Sequence, residues 1–198
     1  MPQAPIILAS NSTARNSMLG NAGLRFAAMA AKINEQKLQS KLNYLSASAL
    51  ALELAKAKAL SISRDNPLSL IIGADQTLEF EGKIIHKASD IETARVQLLA
   101  LRGKTHNLNS AVVCAKADQM LFTHVSTAKM TMRNFSKAAL DAYLEVAADE
   151  VLSSVGGYHY EGKGIQLFDH VDGDYYTILG LPLLPLFAFL RQTSMIEA

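Results

Sequence analysis

The chain has 198 residues, of which 49% are hydrophobic and 19% are charged, a composition typical of a folded globular protein and not of a disordered one. The 19 basic side chains are almost balanced by 18 acidic ones, so nothing indicates a surface for nucleic-acid polymers. No apolar stretch is long enough to span a membrane, and no signal-peptide pattern is present. The single cysteine, Cys114, lies in an apolar run, which favours a buried thiol in a reducing, cytoplasmic compartment.

The first part of the chain predicts a strand, a polar loop and two helices. Residues 6–9 are short and apolar, and four candidate helix caps follow at residues 10–13. The apolar spacing predicts helices over residues 14–22 and 46–63. Residues 26–45 carry weak signals and predict a loop or a short strand.

The central stretch is residues 68–72, Leu-Ser-Leu-Ile-Ile, which is typical of an interior strand covered on both faces. Gly73 and Ala74 are small, and the carboxylate of Asp75 follows. We expect the strand to end there and to present Asp75 at the carboxyl edge of the sheet, where ligands bind in open α/β folds. The alternative is that Asp75 opens a turn or caps the next element, as aspartates after strands commonly do.

The remaining elements predict a mixed sheet flanked by helices, which is an α/β class. The first of them are a hairpin with strands at 77–80 and 83–86 around Glu81-Gly82, a helix at 90–101 capped by Ser89, and strands at 105–115 and 120–132. They are followed by a helix that Ser136 caps and that runs through Val146, a glycine-rich loop at 155–164, strands at 165–168 and 175–179 joined through Asp172-Gly173, and a helix at 184–191.

Three sets of polar residues could take part in a reaction, namely a helix N-terminal segment, several lysines and the carboxylate of Asp75. The segment at residues 10–15 precedes and opens a helix, where free backbone amides attract anions and Arg15 could grip a phosphate; the alternative is simple capping. Lys56 and Lys58 on the predicted helix at 46–63, and Lys87, are further cations, each of which alone is more typical of a solvated surface. With the carboxylate of Asp75, these cations suggest phosphate chemistry, and the residues by themselves lead to the hypothesis of a phosphoryl-group hydrolase.

These clusters, in this order, resemble the motifs of the Maf family of nucleoside triphosphate pyrophosphatases over almost the whole chain. The matching segments are Leu-Ala-Ser-Asn-Ser-Thr-Ala-Arg at 8–15, Asn34-Glu35, Leu-Ala-Lys-Ala-Lys-Ala at 54–59, Gly-Ala-Asp-Gln at 73–76, Lys87, Leu-Arg-Gly-Lys-Thr-His at 101–106, Gly156-Gly157-Tyr158 with Glu161-Gly162, Gly-Asp-Tyr-Tyr at 173–176 and Gly-Leu-Pro at 180–182.

The resemblance implies a single Maf-like domain over residues 1–198, with an elongated mixed sheet flanked by helices and two lobes around a central cleft, similar to the inosine triphosphate pyrophosphatase architecture. It implies hydrolysis of a nucleoside triphosphate to the monophosphate and pyrophosphate with a divalent cation, Mg²⁺ or Mn²⁺. By the same resemblance Asp75 is the acid/base residue, and Glu35 and Asp75 hold the metal. The phosphate-binding residues would be Ser10, Ser12, Arg15, Lys58 and Lys87. A homodimer is a family-level expectation.

Substrate choice in the family depends on three positions, which here are Ala14, Gln76 and Glu161. Gln76 and Glu161 resemble the branch that acts on 7-methyl-GTP, and a glutamate can accept hydrogen bonds from the guanine edge. Ala14 departs from that branch and from the branch that acts on dTTP and UTP. The alternatives are therefore the dTTP/UTP activity, or a nucleotide-binding regulator of cell division that needs no catalysis.

Overall fold

The structure, a computed structural model, describes residues 5–197, which form a mixed β-sheet with helices packed on it. The helices are α1 (Thr13–Asn21), α2 (Glu35–Lys41), α3 (Ala47–Ser63), α4 (Ile91–Leu101), α5 (Lys137–Ser153), α6 (Tyr175–Ile178), α7 (Leu183–Gln192) and a 3₁₀-helix at Lys163–Leu167. The strands are β1 (Ile6–Leu8), β2 (Ala27–Ala28), β3 (Leu70–Phe80), β4 (Lys83–Ile85), β5 (Thr105–Lys116), β6 (Gln119–Met132) and β7 (Phe168–Asp172).

The sheet order is β2-β1-β3-β5-β6-β7, with β4 paired to β3. β1 pairs in parallel with β2 and β3, whereas the pairs β3–β4 and β6–β7 are antiparallel. The sheet is therefore mixed, and the predicted α/β class is confirmed.

The chain forms two compact units, each built from separate segments. Unit 1 comprises the described residues of Met1–Gln76, Asn109–Ser126 and Tyr175–Ala198, and unit 2 comprises Thr77–Leu108 and Thr127–Asp174. Residues 1–4 and 198 of the predicted single domain lie outside the described residues.

The core of unit 1 follows from the alternation of side chains along β3. Ile71 lies in a cluster with Ala51, Ala55 and Ala59 of α3. The neighbouring positions Leu70, Ile72 and Ala74 lie in the cluster that contains residues of α1 and α7. Because successive side chains of a strand point to opposite faces, odd-numbered positions of β3 face α3 and even-numbered ones face the other cluster.

Several local predictions are confirmed. The Glu81-Gly82 turn joins β3 to β4, and both residues have positive φ, as a two-residue hairpin turn requires. Ser12 and Ser136 cap α1 and α5 by accepting a backbone N–H three residues later, whereas Ser46, predicted as the first residue of a helix, is the cap of α3. Cys114 is fully buried, and burial raises the pKa of its thiol.

The prediction for the central strand is wrong at both ends. β3 begins at Leu70, and Leu68 is 78% exposed. The strand does not end at Asp75 but continues to Phe80, because the apolar residues after Gln76 extend it into the β3–β4 hairpin. Asp75 nevertheless lies three residues beyond Ile72, the last residue of β3 in register with β1. It therefore stands past the carboxyl end of β1 and not at the end of its own strand.

Four other predictions are wrong. Residues 175–179 were expected to form a strand, but α6 covers Tyr175–Ile178, since a five-residue apolar run does not distinguish the two structures. The predicted strand at 165–168 is mostly the 3₁₀-helix, so no hairpin through Asp172-Gly173 joins it to residues 175–179. Helix α2 was missed within residues 26–45, because it buries no residue and has no apolar face to detect.

The caps and ends of two helices also differ from the predictions. Asp90, and not Ser89, caps α4, and its Oδ1 accepts the N–H of Thr93 at 2.7 Å. Helix α5 runs past Val146 to Ser153 across a kink at Ala147, where the backbone is not helical. Within residues 5–197, no helix combines the length and the apolar character needed to cross a membrane.

Candidate active site

The site is built around Asp75, which faces α3 because it occupies an odd-numbered position of β3. The strand can approach α3 this closely because Gly73, on the same face, has no side chain. A Cβ at Gly73 would lie 2.3 Å from the carbonyl oxygen of Ala55 and 2.8 Å from Cβ of Ala59. The absence of that Cβ therefore brings the next α3 side chain, Lys58, within reach of Asp75.

Lys58 connects two carboxylates. Its Nζ lies 2.6 Å from Oδ1 of Asp75 and 3.1 Å from Oε1 of Glu35, the first residue of α2. The side chains of Lys58 and Asp75 are each only 9% exposed, whereas that of Glu35 is 48% exposed. A buried charge is tolerated only when it is paired, and this cluster supplies that pairing.

Burial raises the pKa of Asp75 above its usual value of 3.8. The positive charges of Lys58 and Arg15 oppose this rise, and the negative charge of Glu35 adds to it. A carboxylate with a raised pKa accepts a proton more readily at neutral pH than an ordinary aspartate does. The arrangement therefore suits Asp75 as a general base.

Arg15 approaches the same cluster from α1. Its Nε donates to the carbonyl oxygen of Gly180 at 2.9 Å, and its Nη1 lies 3.4 Å from Oγ of Ser10. Burial lowers the pKa of Arg15 below its usual value, while the negative charges of Asp75 and Glu35 oppose that change. A guanidinium keeps its charge under such conditions, so Arg15 remains a cation beside the two carboxylates.

Ser10 and Ser12 form the loop between β1 and α1. Oγ of Ser10 accepts the N–H of Ser12 at 3.1 Å, and Oγ of Ser12 accepts the N–H of Arg15 at 3.4 Å. The capping interpretation is thus correct for Ser12. It does not exclude anion binding, because the same helix N-terminus carries a partial positive charge.

The side chains of the other predicted site residues make no described contact with the Lys58–Asp75 pair. Gln76, next to Asp75, faces away from α3 and donates to the carbonyl oxygens of Thr177 and Ile178. Ala14 is the second residue of α1 and is half-buried. Lys87 and Glu161 belong to unit 2; Lys87 is exposed and pairs with no residue in the described part of the chain. Oε1 of Glu161 lies 3.7 Å from Nδ1 of His159.

The sequence reasoning missed the contacts made by backbone carbonyls and by Ser110. Gly180 was noted only as part of a closing motif, yet its carbonyl holds Arg15. Ser110 stands on β5 between Asn109 and the apolar run that begins at Ala111, and no motif in the sequence distinguished it from the other polar residues of that strand. Its Oγ accepts from Gln76 and donates to the carbonyl oxygen of Thr177.

A divalent cation was also predicted, and the carboxylates present are compatible with one. Oxygens of Glu35 and Asp75 already converge on a single cation, the ammonium of Lys58. No group of three or more His, Cys, Asp or Glu within residues 5–197 could hold a metal by protein ligands alone. Magnesium commonly takes one or two carboxylates and completes its shell with water and substrate phosphates, which fits a pair of this kind.

A family model for Maf-like proteins matches residues 5–193, which is almost the whole chain. The chain belongs to the Maf-like family. Curated relatives of this Maf-like protein include the nucleoside triphosphate pyrophosphatase of Bradyrhizobium diazoefficiens, which is 47% identical over 98% of this chain and 96% of its own length. The 7-methyl-GTP pyrophosphatase of Brucella abortus is also 47% identical, over 97% and 98% of the two chains. That of Rhizobium meliloti is 45% identical over 98% of both.

Among solved structures, a HAM1 protein from Coxiella burnetii matches this Maf-like chain with a TM-score of 0.42 and 13% identity. The match covers 67% of this chain and 75% of the other. A similarity at that level carries no fold assignment. The α/β class rests on the strand order and pairing described above, and the family rests on the sequence match.

Proposed function

We propose that this Maf-like protein hydrolyses a nucleoside triphosphate to the nucleoside monophosphate and pyrophosphate. The observation that carries the proposal is the buried Lys58–Asp75 pair beside Glu35 and Arg15, which places a proton acceptor among cations. The names of relatives at 45–47% identity over nearly the full chain support the same activity.

In this proposal Asp75 takes a proton from a water molecule as the water oxygen bonds to phosphorus. The P–O bond between the α- and β-phosphates breaks, and pyrophosphate leaves with the electron pair of that bond. Arg15, Lys58 and Lys87 bind the phosphates and neutralise the charge that develops on their oxygens, with help from Ser10 and Ser12. Asp75 then releases the proton to solvent, and no side chain forms a bond to phosphorus.

A divalent cation, Mg²⁺ or Mn²⁺, completes the proposal. Glu35 and Asp75 would hold it together with phosphate oxygens of the substrate, and it would supply further neutralisation of phosphate charge. The convergence of both carboxylates on Lys58 supports this assignment.

We propose 7-methyl-GTP as the favoured substrate. Glu161 can accept hydrogen bonds from the guanine edge, and its negative charge favours a methylated, cationic ring. Two of the relatives described above carry the name of that activity. Ala14 offers no stacking surface, so dTTP and UTP are the competing substrates.

We also propose a cytoplasmic location, which the buried thiol of Cys114 supports. A homodimer stays a family-level prediction, to be tested by sedimentation.

The proposal is tested by product analysis with 7-methyl-GTP, GTP, dTTP, UTP, CTP and ITP in the presence of Mg²⁺ or Mn²⁺. We expect pyrophosphate release, fastest with 7-methyl-GTP, and a loss of at least about a hundredfold in kcat for Asp75→Asn without loss of the fold. Asp65→Asn is the matched control, because Asp65 pairs with Lys32 at an exposed position. It is expected to retain full activity.

The alternative outcomes are distinct. Release mainly from dTTP or UTP would keep the chemistry and overturn the substrate. Release of single phosphate groups would indicate another kind of phosphate hydrolase. Tight binding of a nucleotide without hydrolysis would favour the regulator of cell division. Near-full activity in Asp75→Asn would remove Asp75 from the reaction.

A further inference from the structure

Residues 177–180, a turn that comprises the last two residues of α6 and the two that follow, accept hydrogen bonds from Gln76 and Ser110 and also from Arg15. Such a short helix leaves its last carbonyl groups without helical partners. Three donors reach the two carbonyl oxygens of Thr177 and Ile178: the amide of Gln76, the hydroxyl of Ser110 and the N–H of Gly180. These contacts determine where Gly180 lies.

Ser110 is the centre of this arrangement. It is fully buried on β5, where its Oγ accepts from Nε2 of Gln76 at 2.8 Å and donates to the carbonyl oxygen of Thr177 at 2.7 Å. Its one hydroxyl thus links a residue of β3 to the turn. A buried hydroxyl that both donates and accepts is costly to remove, because its partners lose hydrogen bonds without gaining water.

The side-chain amide of Gln76 is occupied inside the protein. Its Nε2 lies within hydrogen-bond distance of Oγ of Ser110 and of the carbonyl oxygens of Thr177 and Ile178, at 2.8, 3.1 and 2.9 Å. Two of these partners are carbonyls, which only accept, so the amide nitrogen and not the amide oxygen must face them. With two hydrogens and three acceptors, this nitrogen has no hydrogen left for a ligand.

The turn then positions the guanidinium of Arg15. The carbonyl oxygen of Gly180 accepts from Nε at 2.9 Å, and a Cβ at Gly180 would lie 3.3 Å from Nη2 of Arg15 and 3.6 Å from Cδ of Gln76. Each Nη group carries two hydrogens, so a guanidinium anchored through Nε, with Nη1 also 3.4 Å from Oγ of Ser10, still has N–H groups for a planar contact with an oxyanion.

We infer that Ser110 and Gln76 are positioning residues for Arg15, acting through the backbone of residues 177–180. In this arrangement the amide nitrogen of Gln76 supports binding of every triphosphate alike and donates no hydrogen bond to the base. The inference rests on the proposed function in one respect, namely that Arg15 binds phosphate.

The test measures the affinity of inorganic triphosphate, and of a GTP analogue with a methylene group between its α- and β-phosphates, by calorimetry. Ser110→Ala is expected to weaken both by the same factor of about ten, which corresponds to one lost buried hydrogen bond. Ser63→Ala is the matched control: Ser63 is equally buried, and its Oγ accepts only the N–H of Asp118. It is expected to change either affinity by less than about twofold.

A double-mutant cycle separates positioning from general loss of structure. Arg15→Ala should weaken triphosphate binding, and adding Ser110→Ala should then have almost no further effect. Ser110→Thr, which keeps the hydroxyl, should recover most of the affinity. Should Ser110→Ala fail to fold, Gln76→Met, which removes the amide that donates to the carbonyl oxygens of Thr177 and Ile178, should show a similar loss in affinity.

Each contrary result overturns the inference: unchanged affinity in Ser110→Ala, weakened binding of the GTP analogue alone, an equal effect of Ser63→Ala, additivity with Arg15→Ala, or a wild-type protein that binds neither anion. The proposed function fails separately, through absence of pyrophosphate release from any nucleoside triphosphate by a protein that still binds them.

Discussion

The titratable side chains buried in the two units differ in charge. In unit 1, Lys58 and Asp75 are buried as an ion pair, with Arg15 and Glu35 nearby. In unit 2, Nε2 of His106 contacts the hydroxyl of Tyr158 at 2.6 Å, and the ring of Phe168 packs against that of Tyr158 at 4.8 Å. Burial lowers the pKa of His106 to about 4 and raises that of Tyr158, helped by Tyr143, so both groups are neutral at pH 7.

The difference separates a structural cluster from a chemical one. A neutral hydrogen-bonded pair among aromatic rings can be buried at little electrostatic cost. A buried ion pair, in contrast, is often no more stable than apolar residues of the same size. The charges in the interior of unit 1 therefore support the proposal that these residues act on a substrate.

The largest expected effect is on the charged cluster. Lys58→Met removes the only ammonium between Asp75 and Glu35 and leaves two carboxylates facing each other. We expect the free energy of unfolding to fall by about 3–5 kcal/mol. Lys56→Met is the matched control on the same helix, since Lys56 pairs with Glu53 at a more exposed position. Its loss should stay below about 1 kcal/mol.

Chemical denaturation of both variants measures this difference. Equal losses for Lys58→Met and Lys56→Met would mean that the buried pair contributes no more than a surface pair. Burial of the Lys58–Asp75 pair would then make no measurable difference to the free energy of unfolding.

The neutral cluster should make stability depend on pH. The folded-state pKa of His106, about 4, lies below its ordinary value of 6.5, so the unfolded chain binds more protons between these values. The stabilising contribution is complete above pH 6.5 and is lost as the pH falls towards 4, to a total of about 3 kcal/mol. Denaturation of the wild type at a series of pH values measures the slope.

His106→Asn provides the control for that slope. The variant cannot titrate at this position, so its stability should change less between pH 6.5 and 4, whatever its stability at neutral pH. An identical slope in the variant and the wild type would assign the acid sensitivity to other groups.

A smaller effect is expected from Tyr158→Phe. The change removes the hydroxyl and leaves His106 without a hydrogen-bond partner within the described residues, because its Nδ1 already has none. We expect a loss of about 1–2 kcal/mol in thermal or chemical denaturation. Tyr44→Phe, at a position 76% exposed, should change stability by less than about 0.5 kcal/mol. A loss in Tyr158→Phe no larger than that of Tyr44→Phe would contradict this account.

The sequence predicted those elements whose apolar residues repeat at a regular spacing or whose turn contains a residue type that the turn requires. Helix α3 shows repeated apolar spacing, and the Glu81-Gly82 hairpin shows a residue type that its turn requires. Helix α2 buries no residue and therefore has no period, and the five residues before Gly180 suit a strand or a helix equally well. Tertiary contacts decide such cases, and no local pattern contains them.

The family assignment was predicted correctly from the order of the motifs, and the structure brings Ser10, Arg15, Glu35, Lys58 and Asp75 into one unit. The roles of these residues stay predictions. The supporting contacts could not be predicted, because the acceptors of Gln76 and Arg15 are backbone carbonyls more than a hundred residues away. Every residue has a backbone carbonyl, so the residue type does not indicate which carbonyl accepts a given hydrogen bond.

Cys114 can report on the opening of unit 1 without any engineered residue. It is the only cysteine in the chain, it is fully buried, and its thiolate is disfavoured by burial. An aromatic disulfide reagent reacts only with an accessible thiolate, so modification should occur through opening of unit 1 alone. The rate of colour development would then measure that opening directly, in the wild type and in every variant proposed above.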